Sequence, residues 1–158
     1  MEKISKHISY KEATYSNTAK FLGIKNKPKA EDIKNMKTVA EKVFEPLREW
    51  VGCPIKVNSF YRSEELNLAI KGSPTSSHLK GQAIDITSMT CEKKECKSNL
   101  DMFHYIKDNL DFDQLIWEFG AEPKWLHVSY VSKKANRKQV LVTKRRGKYF
   151  TYVDCKNC

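Results

Sequence analysis

The sequence predicts an α+β domain. One long apolar stripe at helical spacing runs between Glu31 and Trp50, and short alternating stretches bounded by Gly, Pro and Ser gather in the C-terminal half. Four helical and six strand patterns can be read, mixed unevenly rather than in strict alternation, which is the element order of α+β domains.

The elements follow in chain order. Ser9 with Glu12 reads as a capping box, so a helix should run from about Tyr10 to Lys20 and end near Gly23. Lys25 to Ala30 is a polar loop containing Pro28. The long helix follows, with Ile33, Met36, Val39, Ala40, Val43, Phe44, Leu47 and Trp50 on one face as core. Pro46 removes a donor inside it and predicts a kink or split, and Gly52 ends it. Ile55 to Tyr61 reads as a strand, and Ser63 caps a helix to about Ile70 with Glu64 and Glu65 in its first turn. Gly72 to Gly81 is a loop. Gln82 to Thr87 alternates, so Ala83, Asp85 and Thr87 share one face while Ile84 and Ile86 face the core. Ser98 begins a helix to about Leu110; His104 within it reads as packing or surface. Strands 113–119 and 125–131 come next, the second with Trp125, His127 and Ser129 on one side. A last hairpin, 139–143 and 149–153, turns at Arg146-Gly147.

Length and composition exclude several classes. A chain of 158 residues is one domain by size, with 132–158 read as a basic hairpin and Cys-containing extension of that same domain. No apolar run approaches the about 18 residues of a membrane span, and the N-terminal residues lack a signal-peptide core. The net charge of +10 attracts polyanions, and eight cations lie between Lys133 and Lys148. No helix-turn-helix, finger or RNA-binding motif accompanies that charge, so no specific nucleic-acid partner is expected. Nothing requires more than a monomer.

The chemistry concentrates in His78, Asp85 and His127. Two imidazoles and a carboxylate are a catalytic zinc set, three protein ligands leaving one tetrahedral position open. The loop carrying His78 and the strands carrying Asp85 and His127 can converge on one ion.

The surrounding residues extend this pattern: Ser59-Phe60-Tyr61-Arg62-Ser63, then Ser76, His78 and Asp85, then Trp125-Leu126-His127-Val128-Ser129. Three separated segments, in this order and spacing, resemble the M15 zinc peptidases, which include D-alanyl-D-alanine carboxypeptidases and L-alanyl-D-glutamate endopeptidases. His7 to Ala13 and Phe112 to Ile116 look like the small branch common in bacteriophage genomes. The resemblance covers roughly residues 4 to 131. It implies an α+β fold of the Hedgehog/DD-peptidase type, a small antiparallel sheet flanked by helices and carrying the zinc ligands. It implies hydrolysis of peptide bonds in the stem peptides of bacterial peptidoglycan, Arg62 as the substrate-anchoring residue and Ser76 as a hydrogen-bonding residue near substrate or metal. A chain made in the cytoplasm without a signal peptide and acting on the wall would suit a phage lysis or virion protein. The competing expectation is a non-catalytic, zinc-containing wall-binding or virion module.

One departure stands out. Many relatives carry the catalytic base two or three residues before the last ligand; here Trp125 and Lys124 occupy those positions. Glu118, on the strand preceding that of His127, is the first candidate, ahead of Glu122 in the connecting loop and of Asp113. Tyr61, Gln82 and Trp125 are candidates to line the cleft.

Five cysteines remain. Cys53 stands alone and reads as a small buried hydrophobe. Cys91 with Cys96, and Cys155 with Cys158, form two close pairs that suit a second, structural zinc, disulfides or free thiols.

Overall fold

The computed structural model describes residues 3–89 and 96–154. Its centre is a six-stranded mixed sheet in the order β1-β2-β4-β3-β5-β6. These strands are β1 (Ile55–Ser59), β2 (Ala83–Ser88), β3 (Gln114–Glu118), β4 (Trp125–Ser129), β5 (Gln139–Arg145) and β6 (Lys148–Thr151). With the helices on the sheet, the fold is α+β. Among the described residues, no helix is long and apolar enough to cross a membrane.

The helical half explains itself residue by residue. Ser9 Oγ caps α1 (Tyr10–Ala13) through the amide of Glu12, but the expected single helix divides there. Ser16 supplies a second cap, accepting from the amide of Ala19 and starting α2 (Asn17–Leu22), which Gly23 closes at φ 69°. A cap in mid-pattern offers the backbone an alternative to continuing the first helix. The long helix is α3 (Ala30–Val39), a π-helical turn (Ala40–Phe44) and α4 (Glu45–Val51), with Pro46 in the first turn of α4. A proline lacks the amide for the i→i−4 bond and crowds the preceding turn, so the backbone widens just before it. The apolar stripe stays intact across the widened turn: Met36, Val39, Ala40, Val43 and Leu47 are fully buried. Trp50 lies at its margin and stacks on Tyr105 of α6 (Asn99–Asn109) at 4.1 Å. Ser98 and Asp101 form the capping box of α6, and Ser63 caps α5 (Glu64–Ala69).

The sheet is not wholly antiparallel. β5 pairs with β3 in parallel, Leu115 opposite Val140 and Glu118 opposite Thr143. The connection after β4 returns the chain to the start of β3. Arg137 fixes it there, its guanidinium holding both carboxylate oxygens of buried Asp113 at 2.8 and 2.6 Å. Ile84, Ile86, Leu115, Leu126 and Val128 point from the sheet onto α3, α4 and α6, completing the core with Phe44, Phe103 and Phe112. The opposite face is open, and it carries the polar cluster.

Cys53 and Cys96 form a disulfide across 43 residues, with Cα atoms 6.0 Å apart. It joins the end of the α4 turn to the approach to α6. This corrects two expectations: Cys53 is buried but bonded, and Cys96 has no thiolate to offer a structural zinc. Cys91, Cys155 and Cys158 lie outside the described residues.

Candidate metal centre

β2 and β4 are neighbours, and Asp85 stands directly opposite His127. Directly opposed residues of an antiparallel pair keep their Cβ atoms about 5 Å apart on one face. His78 arrives from a 3-10 turn (Ser77–Lys80) between α5 and β2, started by Ser76, whose Oγ accepts from the His78 amide at 3.4 Å. Gly81 closes the turn at φ 64°, and a Cβ there would lie 2.5 Å from the Asp32 carbonyl of α3. Only glycine lets the loop seat this closely, so Gly81 sets the depth of His78.

His78 is 1% exposed. Its Nδ1 lies 2.6 Å from the carbonyl oxygen of Phe60. A carbonyl only accepts, so Nδ1 carries the proton and Nε2 offers its lone pair to the cleft. Nε2 is 3.2 Å from Asp85 Oδ1 and 3.2 Å from His127 Nδ1, and those two atoms are 2.8 Å apart. Ligands of a tetrahedral zinc stand roughly 3.3–3.5 Å from each other, given bonds of about 2.0–2.2 Å. The three atoms thus form one face of such a tetrahedron, slightly contracted, and the residue types fit the ion.

The electrostatics agree. Burial pushes the His78 imidazolium down, favouring the neutral ring a metal requires. Burial alone would raise the Asp85 carboxyl, but the two histidines beside it hold it well below the usual range. Its second oxygen is not idle: Arg62 Nη2 donates to Asp85 Oδ2 at 3.1 Å, while Arg62 Nε donates to Ser59 Oγ at 3.0 Å. Arg62 therefore orients the carboxylate from behind as well as lining the cleft.

Asn26 holds the segment that carries Arg62. Its Nδ2 donates to the carbonyls of Thr14 and Tyr61, and its Oδ1 accepts from the Ser63 amide at 2.7 Å. Nothing in the polar loop at 25–30 marked it; a carboxamide, with two donors and an acceptor, can make all three bonds.

The cluster opens into a cleft of about 1070 Å³. Glu118 lines it from β3, whose Ile116 stands opposite His127. Glu118 is 9% exposed, and its carboxylate takes no hydrogen bond from a described residue. Burial raises its carboxyl to about 7, with His127 and Arg62 pulling down and Asp85 adding to the rise. The other candidate bases fare differently. Glu122 is exposed in the β3–β4 loop, and Asp113 is consumed by Arg137. Of Tyr61, Gln82 and Trp125, only Trp125 is in the lining, its ring against Phe119 at 5.2 Å between centroids. The cleft also has residues the sequence reading did not single out: Lys71, Phe119, Arg146 and Tyr149.

A family model described as Peptidase M15 matches residues 6–129, which include His78, Asp85 and His127. The chain belongs to the M15 peptidases. Enzymes of this family are zinc-dependent, and the His78–Asp85–His127 group is where this M15 member could hold the ion. Comparison with curated proteins finds no match.

Proposed function

We propose that this M15 peptidase is a zinc enzyme that hydrolyses peptide bonds in the stem peptides of bacterial peptidoglycan, as a D-Ala-D-Ala carboxypeptidase or an endopeptidase. The observation that carries the reading is the convergence of His78 Nε2, Asp85 Oδ1 and His127 Nδ1 in a cleft that also contains the buried Glu118.

His78, Asp85 and His127 would hold the ion. Bound there, zinc would supply Lewis acidity, activating water for attack and polarising the scissile carbonyl. Glu118 is the base: its carboxylate takes a proton from the attacking water and delivers it to the leaving amine. It stands in for the group many relatives carry two or three residues before the last ligand. Arg62 keeps Asp85 oriented through Nη2, and its remaining donors serve a substrate carboxylate or carbonyl. Ser76 fixes the His78 turn and lines the cleft beside it.

The charge of +10 suits an anionic wall. Work outside the cytoplasm, as a phage lysis or virion protein, also suits the Cys53–Cys96 disulfide, since such bonds persist in oxidising surroundings. The test is mass analysis of soluble fragments from purified peptidoglycan treated with zinc-loaded protein, with His127→Ala beside it. New stem-peptide fragments from the wild type alone support the reading and name the bond. Bound zinc with no fragments from several wall chemotypes would leave a non-catalytic wall-binding module.

A further inference from the structure

The match to the family ends at residue 129, yet one wall of the cleft lies beyond it. Arg137, Leu141, Arg146, Gly147 and Tyr149 all line the cleft from β5, β6 and their flanks. The register places them. Trp125, Glu118, Thr143 and Tyr149 form one row across β4, β3, β5 and β6. Tyr149 therefore shares the face of Glu118, and its phenol is raised by burial and by the charges of Glu118 and Asp85.

The tip of this hairpin does not hang free. Arg146 Nη2 donates to the carbonyl of Ile70 and, at 3.0 Å, to that of Lys71, at the far end of α5. Ile70, Lys71 and Arg146 all line the cleft, so the bond ties its two lips together. It also puts the Arg146 guanidinium against the backbone of Lys71, and both residues line the same cleft. Of the four cations in the lining, Arg62 is matched by Asp85 and Arg137 by Asp113. Lys71 and Arg146 are matched by no carboxylate among the described residues, and the Nη1 and Nε donors of Arg146 are unused there. An anion reaching both would gain charge-assisted hydrogen bonds from two cations that no carboxylate of the described residues matches.

We propose that Lys71 and Arg146 form a subsite for a substrate carboxylate, making the C-terminal hairpin the specificity element of this peptidase. The substrate class is a peptide with a free carboxylate a short distance from the scissile bond. The subsite rests on the peptidase reading for its purpose, but its occupancy can be measured without turnover.

The experiment uses the full chain, zinc-loaded, with Glu118→Gln to prevent cleavage. Two probes are titrated calorimetrically: soluble stem-peptide fragments with free carboxylates, and the same fragments amidated. The free acid should bind more tightly. Replacing Lys71 and Arg146 together by Met should cost it about tenfold or more, the scale of a charged hydrogen bond, and leave the amide nearly unaffected. Zinc content and Tm should stay near those of the parent, and in the active background the loss should fall in KM rather than kcat. Equal losses for both probes, or none, would overturn the subsite. Discrimination between the probes without any cleavage by the wild type would sink the peptidase reading alone. Cleavage with no discrimination would sink the subsite alone.

Discussion

The Nδ1–H of His78 donates to the carbonyl oxygen of Phe60, the residue two before Arg62 in sequence. One backbone carbonyl thereby selects the tautomer of a buried histidine and turns its lone pair toward Asp85 and His127. Partners of this kind fix ring orientation and ligand basicity.

His78→Ala and His127→Ala should each abolish stoichiometric zinc binding and hydrolysis while leaving the fold intact. Elemental analysis and fragment release measure the two effects. In the zinc-loaded wild type, nitrogen-15 spectra should report His78 protonated at Nδ1. A His78 protonated at Nε2 would show that the ring does not ligate as described.

Glu118→Gln should keep zinc and lose turnover by about 10²-fold or more, the scale of a lost general base. Full activity in that variant would move the role to Glu122 or to another group.

The pH behaviour of Glu118 has a definite sign. Its carboxyl is raised from the usual 4.5 to about 7, so the folded protein binds this proton more tightly than the unfolded chain does. The resulting stability is fully present below pH 4.5 and is lost as pH rises through 7. Without metal, Glu118→Gln should therefore be more stable than the wild type at pH 8, by on the order of 1–3 kcal/mol, with the difference vanishing near pH 4. Thermal unfolding in chelator at the two pH values checks this. A divalent ion nearby lowers the carboxyl, so zinc should narrow the gap at pH 8, and the acid limb of the activity profile should lie below 7.

Arg62→Ala frees Asp85 Oδ2 as well as removing a cation from the cleft. Zinc affinity should fall by about 10-fold or more, as when the hydrogen-bond partner of a metal-binding carboxylate is removed, together with a loss in kcat/KM. Competition with a chelating dye reads the first effect. If kcat/KM falls at unchanged zinc affinity, Arg62 serves substrate alone.

Reduction of Cys53–Cys96, or Cys53→Ala, should destabilise the protein by about 2–4 kcal/mol, because the bond closes a long loop. Unfolding with and without reductant measures it. Identical curves would show the bond absent in solution.

Much of the site is legible in the sequence because the chemistry imposes local patterns. Alternation on β2 and β4 puts Asp85 and His127 on the face away from Ile84 and Leu126, and a polar loop delivers His78 beside them. Glu118 follows from adjacency, since a short connection makes β3 and β4 neighbours. What escapes is non-local. The hairpin at 139–153 can be read as two strands, but nothing within it states that β5 joins β3 and runs parallel to it, so Arg146 and Tyr149 are invisible as cleft residues. Cys53 and Cys96 meet only because α4 and α6 pack together. The division of α1 from α2 was visible in Ser16, an N-cap residue inside an apparently continuous helix.

β5 also has a consequence for the strand it covers. β3 pairs with β4 on one side and with β5 on the other. A chain cut after the family-matched segment would carry Glu118 on a bare sheet edge, its row of amides and carbonyls from Gln114 onward open to water and to other copies. A row of unpaired amides and carbonyls is a template for pairing with another chain. The hairpin is thus a protective hem as well as a wall. Trimming it in search of a minimal enzyme should yield a sticky protein before it yields an inactive one.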